Sequence, residues 1–180
     1  MSNLGILGLK IPDLNFLKGY WGVPLATNLS YNVMGDIREP AVDVTLWEIT
    51  HVHASYFFGK AYANVGGGWS TRNINGMVAP NNRVYITFED SSYNVIIGIG
   101  ELNPNYRNKN LKKKGLFIMQ MSTTPSESQP VYGIHSSYMF PITQQDIFYN
   151  KLPGSDALNG GNGFWSIPTF IQLAIQNTSS

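Results

Sequence analysis

The chain has 180 residues, a formal net charge of +1 and no cysteine. That length suits one domain with a core that needs no covalent staples, and the near-neutral charge gives no general pull toward nucleic acid or an anionic membrane surface. Missing thiols exclude disulfides, thiolate zinc sites and cysteine nucleophiles, while aromatic residues match charged ones at 13% each, the reverse of a disordered composition.

Residues 1–18 read as a lead-in without a cationic start or a long apolar stretch, so a cytoplasmic location is the expectation. No apolar run approaches the ~20 residues of a spanning helix, and no membrane is expected as a partner. Gly19-Tyr20-Trp21 closes the lead-in, and a strand is expected over 26–34. Residues 42–50 and 54–65 read as two further strands. A single strand of that combined length would far exceed the usual ~3–10 residues, so a break or bulge is placed at 50–53. Gly66-Gly67-Gly68 turns the chain into 71–79, and Pro80-Asn81-Asn82 turns it again.

Residues 83–90 alternate cleanly, with Val84, Ile86 and Phe88 on one face and Tyr85, Thr87 and Glu89 on the other. Ser91-Ser92 is a tight turn into 93–100, where Tyr93, Val95, Ile97 and Ile99 share a face opposite Gly98 and Gly100. The run 106–114 holds five cationic residues behind Tyr106. Its two readings are a phosphate or nucleic-acid contact and a solvated hairpin loop; the near-neutral remainder favours the loop, and no nucleic acid is expected. Strands at 115–122 and 131–140 flank a loop at 123–130. Thr143-Gln-Gln-Asp146 has the form of a capping box before a short helix over 147–152, stopped by Pro153-Gly154. The tail 167–176 fits both periods, and a strand is the preferred reading.

About eight strands joined by short connections predict an all-β fold, one domain over 1–180. An antiparallel up-and-down β-barrel buries the inner faces and removes the sheet edges; a β-sandwich is the alternative. Gly19-Tyr20-Trp21 at the mouth of the first strand, with the meander behind it, resembles the calycins, the barrel group of lipocalins and avidins. That resemblance implies a structural role for Trp21, packed across the barrel floor.

Candidate chemistry is sparse. His51 and His53 share a strand face and could reach one ion, but Tyr56, Phe57 and Phe58 follow where a carboxylate ligand would help. A third ligand would have to come from Glu48, Glu101 or His135, so the pair reads as a strand end in water and neither metal nor cofactor is expected. His135-Ser136-Ser137 sets hydroxyls beside an imidazole, yet strand neighbours point to opposite faces and no nucleophile elbow occurs. The expected function is binding of a small apolar or aromatic molecule inside the barrel, since eight strands enclose room for side chains or one ligand. Trp47, His51, His53, Tyr56, Phe57, Tyr62 and Tyr138 are the candidate ligand-binding residues. Small residues at Gly59, Ala61 and Ala63, with Gly98 and Gly100, are read as leaving volume for it. A cofactor-free cyclase or isomerase would be an extension of this reading. The alternatives are a lectin-like carbohydrate binder exposing Trp69 or Trp165, and a self-assembling structural protein. Oligomeric state stays open, a homodimer among the options.

Overall fold

The computed structural model describes residues 13–23, 29–34, 37–41, 43–65, 67–90, 95–123 and 132–178. Among these the strands are β1 (Gly19–Gly22), β2 (Leu29–Met34), β3 (Ile37–Ala41), β4 (Asp43–His53), β5 (Tyr56–Val65), β6 (Gly68–Val78), β7 (Arg83–Glu89), β8 (Val95–Asn103), β9 (Leu116–Thr123) and β10 (Tyr132–Ile142). Helices α1 (Ile147–Asn150), α2 (Ser155–Leu158) and α3 (Ile167–Thr178) follow. The expected lead-in over 1–12, the turn at Ser91-Ser92 and the loop over 124–130 lie outside the described residues.

All pairings are antiparallel, in the order β1-β4-β5-β6-β7-β8-β9-β10, and β1 pairs back onto β10. Eight strands therefore close into an up-and-down barrel, as the alternation predicted, and the sandwich is set aside. The strand expected over 26–34 appears as β2, and the sequence reading lacked β3 and with it the β2–β3 hairpin. It extends the wall beyond the short β1, with β2 pairing to Tyr132–Ser136 of β10 and β1 to Phe140–Ile142. Pro40 falls on β3, the outermost strand of that extension, where a ladder donor can be spared. The expected irregularity at 50–53 resolves into two features. The register of β4 on β5 slips between Ile49 and His51, and Ala54, at φ 51°, turns the hairpin.

Period-two alternation sorts the side chains into two cores. Trp21, Trp47, Ile49, Phe57, Ile74, Val84, Ile86, Phe117, Met119 and Met139 fill the interior. A 3-10 turn over Asn15–Leu17 closes one end, with Leu14 and Leu17 packed beneath the barrel. The Trp21 indole donates Nε1–H to the Leu17 carbonyl at 2.7 Å and is fully buried, so it lies across the floor as the Gly-x-Trp resemblance implied. The second core is on the outer wall, where Val44, Leu46, Tyr62 and Ile142 meet Leu152, Ile167, Phe170 and Ala174.

The tail is a helix and not a strand. Ile167, Phe170 and Ala174 bury one helical stripe, Phe170 against Trp69 and Trp165 with ring centroids 5.2 and 6.2 Å apart. Ser166 Oγ accepts the Thr169 N–H at 3.2 Å, and Pro168 sits in the first turn, both ordinary helix-start signals.

The expected capping box does not form: Asp146 is itself the N-cap residue of α1, and Thr143 Oγ1 donates to its carboxylate where a capping box would accept from its N–H. Asp146 is buried, and its carboxylate accepts from the Thr143 N–H and Oγ1, each at 2.7 Å, and from the Lys112 N–H at 3.0 Å. One carboxylate thus ties the 104–115 loop to the chain leaving the barrel. Charge-assisted bonds of this kind contribute ~1.5–3 kcal/mol, and their donors would be left buried. Asp146→Ala is therefore expected to lower stability by about 2–3 kcal/mol in urea unfolding; a change below ~0.5 kcal/mol would show that water replaces the carboxylate.

Candidate functional site

Inside the barrel the lower half is solid. Phe117 is the hub, with ring centroids 4.6 Å from Trp21, 5.6 Å from Trp47 and 5.9 Å from Phe57. Inward glycines admit these large groups and leave no gap for a ligand. A Cβ on Gly76 would lie 2.1 Å from the Phe57 ring, and one on Gly98 would lie 2.5 Å from Ile86 Cγ2 and 3.1 Å from Met121 Cγ. The volume expected at Gly98 and Gly100 is thus occupied by Ile86 and the methionines Met119 and Met121, and that at Gly59 by the backbone of β4.

Toward the other end the lining turns polar. Alternation with Trp47 and Ile49 sends Thr45 and Asp43 inward, and Thr45 Oγ1 donates to Asp43 Oδ1 at 2.7 Å. Alternation with Ile74 sends Arg72 inward, where its guanidinium meets Asp90 at 3.0 Å. Trp47, Ala61 and Arg72 lie in one cross-strand row.

Ser137, inward beside Met139, stands four strands from Arg72 either way around the barrel, so the two residues are on opposite walls. The row from Arg72 through Trp47 and Trp21 reaches β10 at Pro141, four residues below Ser137. The row from Ser137 through Met119, Gly100 and Val84 reaches β6 at Val78, six residues below Arg72. Strand tilt divides the difference, and the two side chains face each other at nearly one height above Trp47.

Among the polar atoms of this interior, Trp47 Nε1 and Ser137 Oγ are buried with no hydrogen-bond partner among the described residues. A buried donor left unmade costs ~1–3 kcal/mol, and such groups are rare enough to need a cause.

The remaining candidates lie elsewhere. Tyr62 is on the outer wall, because Ala61 and Ala63 take the inward positions of β5; it is buried beneath the helical layer. Its hydroxyl donates to Glu48 Oε2 at 3.1 Å. Burial first, and the Glu48 charge second, push the phenols of both Tyr62 and Tyr20 above the ordinary tyrosine range. His51, His53, Tyr56 and Tyr138 are all exposed on the outside of the barrel. His51 Nδ1 lies 2.9 Å from Thr50 Oγ1, and no cluster of three or more metal-ligating side chains occurs among the described residues. The side chain of His135 lies outside what the structure describes. Of the expected ligand-binding residues, only Trp47 and Phe57 therefore come together inside the barrel.

A groove of about 480 Å³ opens on the outer wall between Glu48, Phe58, Lys60, Asn73, Asn75 and Glu89. Glu48, Lys60, Asn73 and Glu89 form one cross-strand row, the ordinary polar pairing of a solvated sheet face. In the cationic run at 106–114, Arg107, Lys109, Lys112 and Lys114 are exposed, as a solvated loop would have them, and Lys113 is tied to the floor. Lys113 Nζ donates to the Lys18 carbonyl at 2.6 Å, burial lowers its pKa, and Tyr106 packs on Phe140 with centroids 5.7 Å apart.

Fold and interior together define the class: a closed eight-stranded antiparallel up-and-down barrel with an aromatic floor and a polar upper lining. Comparison with known proteins gives no match to a family model, to a curated protein or to a solved structure.

Sequence reasoning missed Thr45, Arg72 and Asp90, and weighed Ser137 only as a hydroxyl beside His135. The signal was available for Thr45, in phase with Trp47, and for Asp90, in phase with Val84, Ile86 and Phe88.

Proposed function

We propose that this barrel is a calycin-like container holding one small, mainly apolar organic molecule in the upper half of its interior, above Trp47. The observation that carries the reading is that Trp47 Nε1 and Ser137 Oγ are buried and unsatisfied in a barrel whose lower half is packed. An indole N–H can only donate, so whatever satisfies it brings a hydrogen-bond acceptor. Among the described residues Arg72 is accompanied by two inward carboxylates, Asp43 and Asp90, a formal excess of one negative charge. A carboxylate ligand would enter against that charge. The fitting class is a neutral molecule with an apolar or aromatic body and a carbonyl or ether oxygen.

The placement of the other tryptophans favours a container over a lectin. Trp69 and Trp165 stack on Phe170 beneath α3, and do not stand as a platform for sugar faces. Among the described residues no acid is set against a base at the site, and the proposal is of binding.

Binding of an uncharged aryl ketone and of the matching aryl carboxylate, followed by tryptophan fluorescence, tests the reading. The ketone is expected to bind the more tightly. Ser137→Ala is expected to weaken it roughly 2- to 10-fold, the worth of one hydrogen bond, while leaving the empty protein as stable or more stable. Native mass spectrometry of freshly purified protein completes the test. A chain that carries no small molecule and binds neither probe has a solid barrel, and the proposal fails.

A further inference from the structure

The outer wall of the barrel is treated in two ways. Over β5 and β6 it is covered by α3, with Tyr62, Phe170 and Ile167 sealed between the layers. Across β7 to β10 the outward positions hold Tyr85, Ile97, Ile99, Ile118 and Tyr138, exposed by 46, 52, 49, 40 and 46%. The register makes these five contiguous. Tyr85 pairs with Ile99 and Ile118 with Tyr138. Ile97 precedes Ile99 on the same face, and Ile118 stands diagonal to Ile99 through Gln120.

Over 97–100 the usual order of a barrel wall is inverted: β8 turns Gly98 and Gly100 inward and Ile97 and Ile99 outward, while Ile96 stays with the interior. The exposed side chains amount to roughly 450 Å² of mostly apolar surface, within the ~300–600 Å² of the largest patch on a typical monomer, which is often functional.

We infer that this face of β7–β10 is the interface between two copies of the chain. A stable dimer buries about 800 Å² per partner, with an apolar centre and a polar rim. The patch supplies the apolar surface, Glu101 and Gln120 are interleaved with Ile99 and Ile118, and Arg83 and Thr87 border it along β7. A two-fold axis through the patch sets Arg83 of one copy near Glu101 of the other, so adjacent opposite charges become complementary across the interface. Symmetric self-pairing uses this charge arrangement; a strongly acidic or basic partner would have no matching field here. The inference stands independently of what the barrel holds.

Sedimentation velocity of the full chain between about 1 and 200 µM tests it. The expected species has twice the 20.0 kDa chain mass. Ile99→Lys with Ile118→Lys places like charges face to face, and the dissociation constant is expected to rise at least about tenfold. Both positions are exposed, so the thermal melt should remain cooperative. Phe58→Lys, on the outward face of β5, is expected to leave the dimer intact. A wild-type chain that stays monomeric throughout overturns the inference. So does a dimer that the double variant leaves unchanged, since its interface must then lie elsewhere. Flotation of monomeric wild type with phosphatidylcholine vesicles would assign the face to lipid and overturn it equally.

Discussion

Trp21→Ala is expected to destabilise the protein by ~3–5 kcal/mol, the range for truncating a fully buried large aromatic. Three separate losses combine at this position. The indole is completely buried and makes the closest ring contact of the interior, 4.6 Å to Phe117, so its removal opens a cavity at the hub of the aromatic floor. Its Nε1–H is the partner of the Leu17 carbonyl, which ties the 3-10 turn to the first strand. Its ring edge also seats Gly115, whose positive φ of 129° ends the 104–115 loop beneath the barrel. Trp21→Phe separates these contributions. It keeps most of the packing and loses the hydrogen bond, so about 1–2 kcal/mol of the loss should remain. Chemical unfolding of the three proteins gives the ranking. A cost below ~1 kcal/mol for the alanine variant would mean that the floor closes without the indole.

The same residue shows what was legible in the sequence. Gly19-Tyr20-Trp21 marked the start of the barrel, and strict alternation in 83–90 marked β7 almost residue for residue. Both signals are local: a strand repeats every two residues regardless of what it packs against. What the alternation does not carry is which face turns inward. In β8 the sequence separates Ile97 and Ile99 from Gly98 and Gly100, and hydrophobicity alone sends the isoleucines to the core. The glycines turn inward, because Ile86, Met119 and Met121 from neighbouring strands reach over them and fill the space. The choice of face is decided by partners distant in sequence, so it was invisible before the register was known.

The same limit explains Tyr62 and Tyr138, which were expected at the cavity and lie on the outer wall. The tail failed for a different reason. Its apolar residues fit both periods, and the deciding evidence was the start signal at Ser166 and Pro168, not the apolar pattern.

Gly59→Ala is expected to cost more than about 3 kcal/mol, well above the same substitution at Gly98. Overpacking a core site typically costs ~1–3 kcal/mol because neighbouring side chains can shift. At Gly98 the added methyl meets the end of Ile86, 2.5 Å away, and the Met121 and Met119 side chains beyond it, all of which can change rotamer. At Gly59 it would sit 1.9 Å from the Glu48 carbonyl oxygen and 2.9 Å from Ile49 Cα, so the obstacle is the neighbouring backbone. Gly59 pairs with Ile49 at the point where the register of β4 on β5 slips, and the two chains approach closely there. Relief requires moving the bulge, and the bulge sets the phase of the strand end. Above it Trp47 and Ile49 point inward; beyond it Val52 takes the inward role while His51 and His53 face water. The variant should therefore lose stability and also perturb the environment of His51 and His53, read from their imidazole NMR signals. Gly98→Ala should move neither signal. Equal costs at the two sites, with the histidine signals unmoved, would show that the β4–β5 backbone yields as easily as a side chain.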